Sequence, residues 1–246
     1  MVTGAAGWLG RAVMEQSTLR PSVGAVIAVY RRTPPPLSVP ANATVLSATD
    51  LATAEGIRAL RSAVEGCGLH DTALLHCAGA FPPAAALHNV GLDTVRQSLA
   101  ANVESFVGAV SALVPIMRSG GRGRIVAFSS HTRREAYPFI GAFNIAKAAL
   151  EAAVQTVANE NARFGITANT ISVATLQTDE ERRIKPAGRY ADWVPPETLS
   201  EFALDIALSG KAGLNGSELH YWLYSSSFFG ESVFARNSID PSEIDP

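Results

Sequence analysis

The chain has 246 residues, of which 47% are hydrophobic and 17% are charged, and its formal net charge is -2. This length suits one α/β domain with a sizeable core, and the composition excludes an intrinsically disordered chain. The small net charge, without a run of lysine or arginine, excludes the basic surface that a nucleic-acid-binding protein needs.

Apolar strand-like runs alternate with helical patterns along the chain, and this alternation is typical of βαβ units with a parallel sheet. Only Met1 and Val2 precede the first turn, so either the first strand is short or the sequence starts late. Apolar spacing predicts one helix around Ile57 to Val64, a longer one from Val103 to Val114, and a third, Ala-rich helix over residues 146–164. The other predicted strands are residues 25–30, 44–47, 72–77, 124–129, 167–172 and 218–223. We therefore predict an α/β fold, a single Rossmann domain over residues 1–246 with a doubly wound parallel sheet.

Two segments depart from this alternation. Residues 31–42 contain four prolines, which exclude a helix and predict an extended connection. Residues 176–196 are charged and end on Pro195 and Pro196, which indicates a surface loop or a lid. We expect this segment to be mobile until a ligand binds.

A glycine-rich turn follows the first strand, with the sequence Thr3-Gly4-Ala5-Ala6-Gly7-Trp8-Leu9-Gly10. Its three glycines allow a tight turn and a close approach of backbone to a pyrophosphate, and the following helix offers its N-terminal amides to phosphate. A plain strand-turn-helix junction is the alternative. We predict a dinucleotide site formed by Gly4, Gly7, Trp8, Leu9 and Gly10.

The end of the second predicted strand bears on the choice of dinucleotide. An acidic residue at that place binds the 2′-hydroxyl of NAD, whereas arginine accommodates the 2′-phosphate of NADP. The chain has Arg31 and Arg32 there and no acid, which favours NADPH over NADH, the alternative being two solvated arginines. Asp50 and Leu51 follow the next strand and are predicted to reach the adenine edge.

Further motifs resemble those of the short-chain dehydrogenase/reductase superfamily over nearly the full length of the chain. Cys77-Ala78-Gly79 stands where this family has Asn-Asn-Ala-Gly, and Asn102 matches its helix asparagine. Ser130 matches the catalytic serine and Lys147 the catalytic lysine, but Phe143 occupies the tyrosine position. The resemblance implies that Ser130 holds the substrate oxygen, that Lys147 binds the nicotinamide ribose, and that Ala78 and Gly79 adjoin the cofactor.

Phenylalanine at position 143 changes the chemistry that this resemblance implies. Phe143 and Lys147 lie one helical turn apart and should face the same pocket, but a phenyl ring has no proton to donate. A positioned general acid contributes about 10²–10⁴-fold, so ordinary ketone reduction should be largely disabled. His131 and Tyr137 are possible replacement donors, although His131 is also explained as a loop residue and Tyr137 as a substrate contact.

The segment after the last long strand is similar to the dihydropteridine reductase-like branch, which reduces a quinonoid C=N system. The similarity rests on Thr175-Leu176-Gln177-Thr178, Arg182-Arg183, Trp193 and Pro196. It implies that Thr178 contacts the carboxamide or pyrophosphate of the cofactor, and that Trp193 lines or supports the lid beside the substrate.

The function that follows is an NADPH-dependent oxidoreductase acting on a small cyclic or aromatic carbonyl or imine, with altered proton delivery. Phe143 is either natural or an engineered Tyr→Phe change. The alternatives are a non-redox enzyme (a cyclase, isomerase or dehydratase) and a non-catalytic dinucleotide sensor. We expect a homodimer or homotetramer formed through helices at about 101–118 and 145–163, as the resemblance implies.

The remaining signals concern metals and location. Cys67 and Cys77 are predicted to be buried free thiols, without a disulfide or a metal site. We identified no apolar stretch near the roughly 18 residues of a membrane span and no leader sequence. A soluble, cytoplasmic protein without membrane partners is therefore expected.

Overall fold

Seven parallel strands form one sheet in the order β3-β2-β1-β4-β5-β6-β7 in the computed structural model, which describes residues 1–32, 41–68, 71–184, 193–209 and 213–221. The strands are β1 (Val2–Thr3), β2 (Val26–Val29), β3 (Ala43–Leu46), β4 (Thr72–His76), β5 (Gly123–Ser130), β6 (Ile166–Val173) and β7 (Glu218–Tyr221). This architecture confirms the predicted α/β fold with a doubly wound parallel sheet.

Seven α-helices accompany these strands within the described ranges. They are α1 (Trp8–Thr18), α2 (Ala54–Gly66), α3 (Leu92–Leu99), α4 (Ser105–Gly120), α5 (Gly141–Asn161), α6 (Asp179–Ile184) and α7 (Pro196–Leu208). A π-helical turn, Ala100–Glu104, joins α3 to α4, and a 3-10 turn, His131–Arg133, follows β5.

The helices cover both faces of the sheet, and this explains the apolar character of its central strands. Every residue of β6 and all but the last residue of β5 are buried. One apolar core lies under α2, α4 and α5, and a second lies under α1 and α7. A strand covered on both faces needs apolar side chains at successive positions, which is why these strands were recognisable as continuous apolar runs.

The observed strands lie within one or two residues of the predicted ones, and β1 has two residues. The last predicted strand is observed over Glu218–Tyr221, and its residues 222–223 lie outside the described ranges. Residues 33–40 of the proline-rich connection also lie outside them.

The prediction of a loop over residues 176–196 is partly wrong. Asp179–Ile184 forms the helix α6, whose first turn carries three acidic residues and whose last turn carries two arginines, an arrangement that complements the helix dipole. Trp193 and Val194 are buried, and Val194 belongs to the core under α1 and α7. Residues 185–192 lie outside the described ranges.

The search for long apolar stretches also missed one helix. The continuous run Leu92–Gly120 has an 18-residue window with a mean hydropathy of 1.6, so it is long and apolar enough to cross a membrane. Small and polar residues such as Ser105 and Gly108 interrupt its apolar side chains, which hid it in the sequence. Half of the window is buried inside the fold, with Phe106 and Leu113 fully covered, as in the core helix of a globular domain.

Gly108 provides a test of the packing between α4 and α2. A Cβ atom at this position would overlap the carbonyl oxygen of Leu51 and lie 3.3 Å from Cγ1 of Ile57. Gly108→Ala should therefore lower the free energy of unfolding by about 1–3 kcal/mol, measured by urea denaturation. Gly66→Ala is the matched control, because Gly66 is also a helical glycine but has open space around it. Equal stabilities of the two variants would show that α4 is not packed as described.

Candidate active site

The carboxyl ends of β1 and β4 form the crevice at which the strand order reverses, the usual place of a ligand in an open α/β sheet. Gly4 follows β1 with a φ of 63°, in the left-handed region. A Cβ atom on Gly4 would lie 2.6 Å from the amide nitrogen of Ala78, which follows β4. The two turns are therefore in direct contact, and a side chain at position 4 would separate them.

The predicted glycine turn is a tight turn that leads into α1. The amide of Gly7 donates to the carbonyl oxygen of Gly4 at 2.9 Å, and Gly7 is the N-cap of α1. A Cβ atom on Gly10 would overlap that carbonyl oxygen. The first amides of α1, from Trp8 onward, carry the partial positive charge of a helix N-terminus and suit a phosphate group. Leu9 is buried, so only its backbone is available to a ligand.

The residues predicted to select the nucleotide follow β2 and β3. Tyr30 is buried, and Arg31 and Arg32 after it are exposed. Asp50 uses its carboxylate to accept a hydrogen bond from the Ala52 amide at 2.9 Å, which stabilises its own turn. The side chain of Leu51 packs in the core under α2 and α4, so a contact of this side chain with adenine would require the core to open.

His76, at the end of β4, was not identified from the sequence as a site residue. Its imidazole lies 2.9 Å from the Thr3 hydroxyl and 3.5 Å from the Ser105 hydroxyl, so it joins β1 to the start of α4. Burial, together with the nearby charge of Lys147, lowers the pKa of His76 to about 3. His76 is therefore a neutral cross-link and not a proton carrier at neutral pH. A histidine ending a buried strand was the signal available in the sequence.

Asn102 lies in the π-helical turn and is completely buried. Its amide group donates to the carbonyl oxygens of Ala80 at 3.0 Å and Ser98 at 2.9 Å, while its Oδ1 atom has no hydrogen-bond partner among the described residues. A Cβ atom on Gly79 would lie 2.7 Å from this oxygen and 3.6 Å from Nζ of Lys147. The absence of a side chain at Gly79 thus lets the Asn102 oxygen and the Lys147 nitrogen lie close to the turn after β4.

Lys147 is buried in the middle of α5 and donates from Nζ to the carbonyl oxygen of Phe128 at 2.8 Å. Its Nζ atom lies 5.4 Å from the ring centroid of Phe143. Burial lowers the pKa of Lys147 to about 8, and the charge of Glu151 opposes this change. The lysine therefore remains mostly charged at neutral pH.

Ser130 ends β5 and is tied to α5 through a chain of polar side chains. Its hydroxyl lies 2.9 Å from the Thr132 hydroxyl, which donates to Oδ1 of Asn144 at 3.1 Å. Because Thr132 has one hydroxyl hydrogen, Ser130 is the donor in the first of these bonds. Asn144 in turn donates to the carbonyl oxygen of Tyr137 at 3.2 Å. The chain fixes the serine relative to the helix that carries Lys147.

Phe143 is half-buried and packs against Phe81, with ring centroids 4.8 Å apart and an interplanar angle of 52°. Phe81 is 62% exposed. The two rings form an apolar wall beside Lys147 in place of the phenol that the resemblance would supply.

The other predicted contacts have varied positions. Nδ1 of His131 lies 3.2 Å from the carbonyl oxygen of Val173, and its ring stands edge-on to the buried Tyr137 at 5.4 Å between centroids.

The hydroxyl of Thr178 accepts a hydrogen bond from the Glu181 amide at 3.1 Å and so caps α6. Trp193 is buried, which fits a supporting role for the lid. Cys67 and Cys77 are free thiols, partly exposed rather than fully buried.

Comparison with known families and curated proteins finds oxidoreductases among the proteins that this chain resembles. A family model described as enoyl-(acyl carrier protein) reductase matches residues 32–201. A 2,3-dihydroxy-2,3-dihydro-p-cumate dehydrogenase of Pseudomonas putida is 29% identical, over 70% of this chain and 63% of that protein. A 1-cyclohexenylcarbonyl-CoA reductase of Streptomyces collinus is 32% identical, over 64% of this chain and 59% of that protein. The chain thus spans less than two thirds of the length of these relatives.

Solved structures share the fold at lower identity. A short-chain type dehydrogenase/reductase from Mycobacterium ulcerans superposes with a TM-score of 0.79 at 20% identity, over 89% of this chain and 86% of that chain. A Tyr→Phe variant of ElxO with NADPH bound superposes with a TM-score of 0.78 at 17% identity, over 89% of this chain and 94% of that chain.

The buried imidazole of His76 makes stability depend on pH. The folded protein binds no proton at His76 until about pH 3, whereas the unfolded chain binds one near pH 6.5. The contribution of the neutral imidazole to the free energy of unfolding is therefore lost as the pH falls below 6.5. Relative to His76→Gln, the wild type should lose about 2 kcal/mol of unfolding free energy between pH 7 and pH 5 in urea denaturation. A difference that stays constant with pH would mean that His76 is protonated in the folded protein.

Proposed function

Because the chain belongs to the short-chain dehydrogenase/reductase superfamily, we propose that it is an NADPH-dependent oxidoreductase that acts on a small cyclic or aromatic carbonyl or imine. One observation carries this proposal. The charged Nζ of Lys147 and the buried Oδ1 of Asn102, which has no partner among the described residues, both lie beside Gly79, where a side chain would collide with that oxygen. A buried polar oxygen without a partner is costly in free energy, so this arrangement favours a bound hydroxyl-bearing ligand such as a ribose.

The residues present fit a phosphorylated dinucleotide. The N-terminus of α1 would hold the pyrophosphate, the space beside Gly79 the nicotinamide ribose, and the exposed Arg31 and Arg32 the 2′-phosphate. The structural relative ElxO, in its Tyr→Phe variant, binds NADPH. When bound, the reduced nicotinamide supplies a hydride.

The residues of this chain bind the substrate and polarise the carbonyl or imine group that accepts the hydride. Ser130 can turn its hydroxyl from Thr132 toward a substrate oxygen or nitrogen, and the Lys147 charge stabilises negative charge that develops nearby. Phe143 excludes water from this corner but donates no proton. His131 adjoins Ser130, and Tyr137 packs against His131, so these two side chains are the candidate donors.

Three observations support a cyclic substrate. The rings of Phe81 and Phe143 form an apolar wall that suits the face of a planar ring. One relative is named a 1-cyclohexenylcarbonyl-CoA reductase, a name that specifies a six-membered ring. The resemblance of Thr175-Leu176-Gln177-Thr178, Trp193 and Pro196 to the branch that reduces a quinonoid C=N system implies a ring substrate as well.

We also propose a homodimer or homotetramer formed through α4 and α5. Val107 on α4 is 46% exposed and Ile145 on α5 is 41% exposed, and the small exposed side chains of Ala148 and Ala152 allow a close approach of helices. Light scattering at micromolar concentration should give a mass of two or four times 25.9 kDa, and a monomeric mass would contradict the proposal.

NADPH should bind more tightly than NADH by about 10–150-fold, because a charge-assisted hydrogen bond contributes about 1.5–3 kcal/mol. The double variant Arg31→Ala/Arg32→Ala should lose this preference while it keeps its affinity for NADH. Arg58→Ala is the matched control, since Arg58 is an exposed arginine on α2. Fluorescence titration with both cofactors measures the two affinities. Equal affinities in the wild type, or an unchanged preference in the double variant, would refute this assignment.

Phe143→Tyr should raise kcat for small ketones by about 10²-fold or more, because it adds a proton donor beside Lys147. The positive charge of Lys147 favours a phenolate and so makes the added phenol a better acid near neutral pH. Phe81→Tyr is the matched control, since it adds the same hydroxyl to the neighbouring ring, which no contact joins to the lysine within the described residues. NADPH oxidation followed at 340 nm, the absorbance band of the reduced cofactor, measures the rates.

An unchanged ketone rate in Phe143→Tyr would indicate a relocated donor. In that case His131→Ala or Tyr137→Phe should abolish turnover of the true substrate. If all three variants leave NADPH oxidation at background with ketones, imines and quinonoid acceptors, the oxidoreductase proposal fails. A non-redox enzyme or a dinucleotide sensor would then be the better description.

A further inference from the structure

A group of charged side chains lies behind Ser130 and has no part in the chemistry described so far. Glu151 follows Lys147 by one turn on α5, and its side chain is only 14% exposed. Its carboxylate accepts a hydrogen bond from the Ser129 hydroxyl and pairs with Arg133 of the 3-10 turn. Arg133 also pairs with Glu218 of β7 at 3.0 Å. We call these four residues, Ser129, Arg133, Glu151 and Glu218, the Glu151 network.

The network holds the Glu151 carboxylate at a defined place. Ser129 lies on β5 and Arg133 on the turn after it, so two elements contact the Glu151 side chain of α5, and Glu218 of β7 holds Arg133 in turn. Burial raises the pKa of Glu151, and the hydrogen bond from Ser129 and the charge of Arg133 oppose this rise. A carboxylate this restrained and this poorly solvated acts on neighbouring charges more strongly than a surface carboxylate does.

Lys147 is the neighbour on which this charge acts. Its ammonium group is buried with a single backbone acceptor, the carbonyl of Phe128, and a buried ammonium group tends to lose its proton. Lys147 and Glu151 are four residues apart on one helix, and their side chains reach consecutive residues of β5, the Phe128 carbonyl and the Ser129 hydroxyl. Of the neighbouring groups that oppose the effect of burial on the pKa of Lys147, Glu151 has the larger effect.

We propose that Glu151 is a positioning residue, whose carboxylate, fixed by Ser129 and Arg133, keeps the ammonium group of Lys147 charged inside the pocket. The inference rests on the proposed function only in taking Lys147 as a site residue. With phenylalanine at position 143, no phenol shares the stabilisation of developing negative charge. The charge of Lys147 therefore carries more of that role, and its retention matters at the pH of turnover.

Within the described ranges, the other ionisable groups around Lys147 supply no competing negative charge at neutral pH. His76 at the end of β4 is neutral, and its pKa is lowered to about 3 by burial. Burial raises the pKa of the Cys77 thiol to about 12, so this neighbour stays protonated. Arg133 and Glu218 act through their contacts with Glu151. Glu151 is thus the negative group on which the state of Lys147 depends.

Direct titration of Lys147 tests the inference, because the chain contains only three lysines, Lys147, Lys185 and Lys211. We suggest NMR of the full chain labelled with [¹³Cε]lysine, with the Lys147 signal assigned from Lys147→Arg. The wild-type signal should titrate near pH 8. In Glu151→Gln, which keeps the size and hydrogen-bond acceptor of the side chain, the midpoint should fall by about one pH unit. The charged fraction at pH 8 should then fall about five-fold.

Two further variants separate charge from packing. Glu160→Gln changes an exposed glutamate on the same helix and should leave the Lys147 titration unchanged. Glu151→Asp keeps the charge and should restore most of the wild-type midpoint. The inference is overturned if Lys147 titrates alike in wild type and Glu151→Gln, or if Glu151→Asp behaves like Glu151→Gln.

The titration also distinguishes this inference from the proposed function. It needs no turnover, so a shifted Lys147 signal in a protein that never oxidises NADPH would support the role of Glu151 and refute the oxidoreductase. An unshifted signal in a protein that binds and oxidises NADPH would refute the role of Glu151 and support the oxidoreductase. If the amide spectrum shows that Glu151→Gln does not fold, Glu151→Asp is the deciding variant. Because Glu151→Asp keeps the charge, a Lys147 midpoint lowered by about one pH unit in this variant would contradict a role for the charge.

Discussion

The hydrogen bond from Nζ of Lys147 to the carbonyl oxygen of Phe128 joins the middle of α5 to β5, two residues before Ser130. A buried ammonium group loses hydration that is worth several kcal/mol, so it stays charged only where acceptors and a negative charge offset that loss. Phe128 supplies the acceptor and Glu151 the charge. The relative position of serine and lysine, and with it the geometry of the pocket, depends on this bond, since α5 carries Phe143 as well.

Close backbone contacts create the rest of the site. Gly4 lets the turn after β1 touch the turn after β4, Gly10 lets α1 begin directly over Gly4, and Gly79 lets the side chain of Asn102 lie against the turn after β4. The neutral imidazole of His76 then ties β1 to the start of α4 through Thr3 and Ser105. The glycines have no side chain at places where a ligand would approach the backbone, and the same positions have no room for one in the folded protein. Folding and ligand binding therefore require the same residues there.

Local patterns were sufficient for the order of strands and helices, because strands covered on both faces are continuous apolar runs and helices show their own spacing. The glycine turn and the positions of Ser130, Phe143 and Lys147 were also recognisable, since motifs with fixed spacing are local. What escaped prediction depends on pairing across the fold. His76 meets Thr3 across 73 residues, and Arg133 meets Glu218 across 85. The helix α6 was missed because its charges resemble those of a solvated loop, although at helix ends such charges are stabilising.

A structure of the protein with NADPH tests the central claim most directly, namely that the glycine turn and the pocket around Lys147 are two ends of one dinucleotide site. The account predicts the pyrophosphate at the N-terminus of α1, the 2′-phosphate beside Arg31 or Arg32, and a ribose hydroxyl hydrogen-bonded to Lys147 and to Oδ1 of Asn102. Density for the dinucleotide elsewhere, or a ribose that leaves Oδ1 of Asn102 without a partner, would contradict it.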